Sequence, residues 1–209
     1  FKEIDNNGKV SHPQLFRESC IDCKTAEECM YHMHHTRHLT GSPCTKLFRR
    51  DLFDGIDFCS NVTIGEDYAM IVQLAEKAGQ VRILSKELYF RYVRRGSISH
   101  GGYTRRHRKA FDNYMRIRQE LIRKYPALES DVTAFHTEYE MAVITAMCRN
   151  DCYDREVIGE LKKDLRANML NTLRHPGVPL YMKGCAFLIA YAHPMFIFLF
   201  RILYHLTGR

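Results

Sequence analysis

Gly65-Glu66-Asp67-Tyr68-Ala69-Met70-Ile71-Val72-Gln73-Leu74-Ala75 is the stretch on which the reading of this chain turns. An acidic pair opens a run whose apolar positions, Ala69, Met70, Val72, Leu74 and Ala75, fit a well-buried helix. Gly79 stands where that helix would end. Acids in a first turn meet the unsatisfied N–H groups and the positive end of the helix dipole. Glu66 and Asp67 are therefore either plain helix-start carboxylates or acids held rigidly for chemistry. The neighbours decide between the two: Lys46-Leu47-Phe48-Arg49-Arg50 lies upstream and Arg94-Arg95-Gly96-Ser97-Ile98-Ser99 downstream.

Outward from that helix, the pattern predicts mixed strand and helix up to about residue 100. Asn6-Asn7-Gly8 signals a hairpin turn. Thr25 is placed to cap a helix running to His38, with Glu27 and Glu28 in its first turn, and Gly41-Ser42-Pro43 breaks it. Cys44 to Phe48 reads as a short buried strand or extended segment, and Asp51 as the cap of a short helix through Leu52 and Phe53. Val81 to Leu84 and Leu88 to Val93 read as brief strands. Beyond Tyr103 the apolar spacing is helical. One stripe runs from Phe111 to Tyr125 and is closed by Pro126, a second from Val132 to Met147, and a third from Val157 to Leu173, stopped by Pro176-Gly177.

The last thirty residues differ. Gly184 to Phe200 is free of formal charge, with Lys183 and Arg201 at its flanks. It is shorter than the roughly 20 apolar residues a span requires, and His193-Pro194 interrupts it. A helix in or against the bilayer interface is the expectation, the competing reading being a buried helix of the bundle. The expected organisation is a mostly helical α/β chain with residues 1–100, 101–179 and 180–209 as its parts.

Composition narrows the partners. The 209 residues are 45% hydrophobic, enough for a core, and carry a formal charge of +7 with a pI near 9.0. Between Arg105 and Lys124 lie eight basic residues against Asp112 and Glu120 alone, a distribution that suits an anionic partner. No RNA-recognition signature accompanies it, so a membrane surface ranks above nucleic acid, and no nucleic-acid partner is expected. Eight cysteines at irregular spacing, with no leader peptide ahead of them, read as reduced thiols of a cytoplasmic protein rather than a disulfide framework.

Taken together, Lys46-Leu47-Phe48-Arg49-Arg50, Gly65-Glu66-Asp67 and Arg94-Arg95-Gly96-Ser97-Ile98-Ser99 resemble the second half of a family-two, GT-A type bacterial glycosyltransferase. Gly41-Ser42-Pro43-Cys44 is similar to that family's small-residue lead into its lysine motif, and Leu88-Tyr89 to the strand before its arginine-serine motif. The resemblance covers about residues 12 to 100, and the helices beyond are only loosely similar. It implies the C-terminal part of a GT-A (Rossmann-like) domain followed by a helical extension. It further implies an inverting enzyme that moves a sugar from a nucleotide-sugar donor to a saccharide or lipid-linked acceptor in capsule, lipopolysaccharide or related cell-surface polysaccharide synthesis. Such an enzyme would sit on the inner face of the cell membrane.

Carried over residue by residue, Asp67 would be the catalytic base and Glu66 would orient it or the acceptor. Arg94, Ser97 and Ser99 would line the donor diphosphate, with His100 beside them, and Lys46 would be structural or substrate-facing. The family's Mg²⁺ or Mn²⁺ is held by an Asp-x-Asp in its N-terminal half. No Asp-x-Asp occurs in this sequence, Asp54-Gly55-Ile56-Asp57 having the wrong spacing. The chain, which opens on Phe1, therefore reads as a fragment that is inactive alone and binds no metal or other cofactor itself, the metal ligands lying outside it. The alternative is a non-enzymatic helical module for an anionic membrane or a partner protein. Cys20-x2-Cys23 followed by His34 and His38, with Cys29, His32 and His35 nearby, comes close to a zinc-finger spacing. The aromatic and leucine positions of a small finger are absent, and packing is the preferred reading.

Overall fold

In a computed structural model of the chain, described for residues 2–4, 10–11, 18–58, 64–86, 88–92 and 102–207, the backbone is mostly helical with little sheet. It forms two compact units, Phe1–His100 and Gly101–Arg209.

In the first unit, β1 (Lys2–Ile4) pairs antiparallel with β2 (Val10–Ser11) and parallel with β5 (Phe90–Tyr92). A separate antiparallel pair joins β3 (Cys20–Cys23) to β4 (Val81–Leu84), in a register that sets Asp22 opposite Arg82. Their side chains close a bidentate ion pair at 2.6 and 2.8 Å on the exposed face of the ribbon. Helix α1 (Ala26–His34) starts on a capping box. Thr25 Oγ1 accepts from the Glu28 amide, and the Glu28 carboxylate accepts from the Thr25 amide, an arrangement worth about 1 kcal/mol. The expected extension to His38 does not form, because Arg37 turns left-handed (φ 61°), a conformation that ends helices.

Helix α2 (Glu66–Ala78) is bounded by two glycines at positive φ, Gly65 at 81° and Gly79 at 67°. It buries Tyr68, Ile71, Val72, Leu74 and Ala75 on one side and packs against α1. Its exposed side clamps the 50–57 loop. The Gln73 side-chain amide pairs with both backbone groups of Asp57, at 3.1 and 2.9 Å, and Lys77 donates to the carbonyls of Asp51 and Asp54. A 3-10 turn spans Arg50–Phe53 where a short helix was expected. Cys44 to Phe48 holds no strand. It opens in a 3-10 turn, Pro43–Thr45, and then runs extended at Lys46 (φ −127°, ψ 150°) with Leu47 fully exposed, so of the two expected forms the extended segment is found and the buried strand is not. The predicted turn at 6–8 lies outside the described residues.

The second unit is a bundle of α3 (Arg105–Lys124), α4 (Glu129–Asn150), α5 (Arg155–Ala167), α6 (Met169–Arg174) and α7 (Leu180–Thr207). Phe111, Ile144, Met147, Leu161, Leu165 and Ile189 sit at the centre of its core. The third stripe, expected as one helix, divides at Asn168. There the backbone leaves helical geometry (φ −102°, ψ 8°), and the Asn168 side-chain amide shares the Asp164 carbonyl, at 2.9 Å, with the residue's own N–H. Gly102 is obligatory for a different reason: a Cβ there would meet Asn150 at 2.4 Å, and Asn150 holds both backbone groups of Tyr103.

Part of the basic run on α3 is used in packing, while Arg105, Arg106, Lys109, Arg123 and Lys124 stay exposed. Arg108 reaches Asp112, Glu156 and Glu160, and Arg116 pairs with Glu120. Arg118 is buried against Asp164 at 2.6 Å. Glu140 of α4, 2% exposed, completes that cluster. Burial, and then the nearby Asp164 carboxylate with which it shares a hydrogen bond, push its pKa far above the usual glutamate range against a smaller pull from Arg118.

Helix α7 kinks where sequence requires it. Pro194 has no N–H for the Ala190 carbonyl, and the backbone at Ala192 leaves helical geometry (φ −138°, ψ 47°). Arg166 Nε of α5 takes over the abandoned carbonyl at 2.8 Å.

Candidate functional site

The site is built on the pairing of α1 and α2. His34 lies on the same helical side as Met30 and Met33 and is fully buried. Its Nδ1 donates to the Met30 carbonyl at 2.8 Å, so its Nε2 is the acceptor for the Tyr68 hydroxyl, also at 2.8 Å. That bond fixes the first turn of α2, and with it Glu66 and Asp67. The chain then crosses the Tyr68 ring at Gly41, where a Cβ would come within 3.1 Å of Tyr68 Cδ2. A glycine permits this approach, and the 40–46 loop settles beside the start of α2.

Within that loop Lys46 is tethered. Its Nζ donates to the Ser42 carbonyl at 2.6 Å and to Thr40 Oγ1 at 3.0 Å, and Thr40 in turn meets the Thr45 hydroxyl at 3.4 Å. Ser42 caps the 3-10 turn through the Cys44 amide. Burial lowers the Lys46 ammonium to about 8, against small opposing pulls from Cys44 and Asp67.

Asp67, the second residue of α2, is exposed, while Glu66 is half-buried. Protein atoms crowd the carboxyl end of Asp67 enough to raise its pKa above the ordinary aspartate value, and the Lys46 charge partly offsets this. Among the described residues, no direct ion pair joins the two. They are coupled through space, each keeping the other charged. The Cys44 thiol, from the same loop, lies against the Tyr89 hydroxyl and raises its pKa. An acid with raised basicity, a nearby cation and a rigid small-residue loop thus meet at the N-terminal end of α2.

Of the residues singled out from sequence, the structure brings Lys46, Glu66 and Asp67 into one locality. Arg94, Ser97, Ser99 and His100 lie outside the described residues. Two hydrogen bonds within its own loop hold Lys46 Nζ. Sequence reasoning missed Thr40 and Ser42 as the anchors of Lys46, and His34–Tyr68 as the bolt beneath Asp67. The available signal for the second was the placement of His34 at helical spacing from Met30, on an apolar side, where a histidine needs an internal partner.

The cysteines and histidines between 20 and 44 do not form a finger. No three of them, among the described residues, converge on one point. Cys20 and Cys23 fall on opposite faces of β3, one exposed and one buried, and both ring nitrogens of His34 are occupied. Burial pushes the Cys29 thiol up to about 12 and raises Cys23 beside it, so neither is poised as a thiolate ligand.

No family model, curated protein or solved structure matches this chain.

Proposed function

We propose that the chain is the acceptor-side half of an inverting, nucleotide-sugar-dependent glycosyltransferase of the GT-A type, with Asp67 as its base. The observation that carries this reading is the state of Asp67: an exposed carboxylate of raised basicity, fixed at the start of a buried helix and facing the electrostatic influence of Lys46. A hydroxyl of a saccharide or lipid-linked acceptor would lose its proton to Asp67 as its oxygen attacks the anomeric carbon of the donor. The nucleoside diphosphate would depart from the opposite face, inverting the configuration. A raised pKa makes Asp67 a better proton acceptor, and general-base assistance is typically worth about 10²–10⁴-fold.

Glu66 would orient the acceptor, and Lys46 acts as a positioning residue that holds the 40–46 loop and keeps Asp67 charged. Arg94, Ser97, Ser99 and His100 would contact the donor diphosphate, a guanidinium being suited to paired phosphate oxygens. The divalent metal of the reaction would be held by residues outside this chain, since its sequence has no Asp-x-Asp.

The test is made with the full-length protein that contains this chain. A panel of nucleotide sugars is screened for release of nucleoside diphosphate that depends on an added acceptor, and the product's anomeric configuration is read by NMR. Acceptor-dependent release with inversion supports the assignment. Retention of configuration, or no transfer from any sugar nucleotide in an otherwise folded protein, refutes it. A second reading, a non-catalytic helical module, is favoured by one observation, the outward apolar side of α7, whose use is compatible with either role.

A further inference from the structure

Helix α7 is apolar on both of its sides. Ala186, Ile189, Ala190 and Phe196 face inward and are at most 5% exposed, packed with α4, α5 and α6. On the other side, Leu180, Phe187, Tyr191, Phe198, Ile202 and Leu206 repeat at intervals of seven and four residues and remain 41–85% exposed. Side chains at this spacing form one continuous stripe along a helix. A surface stripe of this length, left exposed by the described residues of its own bundle, marks an interaction surface.

Two facts identify the occupant. From Leu165 to Arg209 the sequence has no acidic residue but five basic ones, Arg166, Arg174, Lys183, Arg201 and Arg209. The stripe is therefore set in a segment whose own charges are all positive, Arg201 being paired with Asp151 at the end of α4, and this suits an anionic surface. The inner side of α7 is also committed to the bundle: Arg166 of α5 bonds the Ala190 carbonyl, and Lys162 of α5 approaches His193 Nδ1 at 3.4 Å. If α7 crossed a bilayer it would draw Lys162, Asp164 and Arg166 into hydrocarbon, at a cost that charged groups avoid. Length and composition alone would permit a crossing over Leu180–Tyr204, but these contacts do not.

We propose that α7 lies in the plane of an anionic lipid surface. Its outward stripe is sunk to the boundary of headgroups and acyl chains, with Tyr181 and Tyr191 at the polar level, while its inner side stays in the bundle. The kink at Ala192 lets the two halves of the helix follow that surface. This inference is independent of the role assigned to Asp67.

The chain has no tryptophan, so each introduced indole is a sole reporter. Three variants, Tyr181→Trp, Tyr191→Trp and Phe198→Trp, are mixed with vesicles of phosphatidylcholine, alone or one-to-one with phosphatidylglycerol. The lipids carry bromine either near the headgroup or deep in the acyl chain. Expected are binding that needs the anionic lipid and weakens with salt, and quenching by the shallow label at all three positions. The double substitution Phe187→Ser with Phe198→Ser should lower vesicle affinity by about tenfold or more while far-UV circular dichroism is unchanged. Deep quenching at position 191 with shallow quenching at 181 and 198 means a crossing helix and overturns the proposal. Absence of vesicle binding also overturns it, including where light scattering then shows a dimer that the double substitution dissolves, which would assign the stripe to a second copy of the chain.

Discussion

Replacing Glu140 with glutamine should abolish the dependence of stability on pH at one buried site. Glu140 is 2% exposed, and its Oε1 has no hydrogen-bond partner among the described residues. Its other interaction is with Asp164, which is itself ion-paired to Arg118 at 2.6 Å. With Asp164 ionised, the pair holds one proton, carried by Glu140. The folded pKa is raised well above the ordinary 4.5. Between those two values the folded state binds more protons than the unfolded one, so stability falls as pH rises. The slope for one proton is roughly 1.4 kcal/mol per pH unit. Across that window the wild type should lose stability at this site by up to roughly this slope, while the glutamine variant should not. Glutamine retains a donor for Asp164 and has no proton to lose.

Denaturant unfolding of wild type and Glu140→Gln, followed by far-UV circular dichroism at pH 5, 6 and 7, isolates the site. Taking the difference between the two proteins cancels groups that titrate in both. Near pH 5 the two should be close in stability, and by pH 7 the glutamine variant should be the more stable. Glu140→Ala serves as the control, losing both the side-chain volume and the bond to Asp164, and should be destabilised at every pH. A wild-type-minus-glutamine difference that stays constant from pH 5 to 7 would refute the assignment of a buried, proton-holding carboxyl.

Two further outcomes are expected in the first unit. Tyr68→Phe removes the hydroxyl that donates to the buried His34 Nε2 and should cost about 1–3 kcal/mol, read as a lowered melting temperature. Lys46→Met removes the attraction that holds the Asp67 pKa down, so the Asp67 carboxyl carbon should titrate at a higher pH by NMR than in the wild type. An unchanged titration would show that the two charges are not coupled.

Legibility in the sequence followed the locality of the cause. Both ends of α2 were readable because each is a glycine at positive φ flanking a strict apolar period, and Pro126 separated α3 from α4 for an equally local reason. The end of α1 was not readable, since Arg37 adopts a left-handed conformation that an arginine does not advertise. The break at Asn168 was hidden because an asparagine bonds back to a carbonyl in some helices and merely faces solvent in others. Glu140 sits at helical spacing from Val143, Ile144 and Met147, the core side of α4, but an acid at such a position does not announce that it is buried. Gly184 to Phe200 announced an apolar helix but not that its two sides would meet different surroundings, which depends on where α5 lies. At the site, the acid pair and the lysine were visible as residues. Their placement in one locality came from Gly41 crossing Tyr68, a contact across 27 positions of sequence that no local pattern encodes.

Under the proposed function, the most direct measurement is sugar transfer by the protein carrying Asp67→Asn, assayed with a competent donor and an added divalent metal. Asparagine preserves the shape and removes the basicity, so turnover should fall by about 10²–10⁴-fold with the melting temperature little changed. Transfer at the wild-type rate would contradict the assignment of Asp67 as the base.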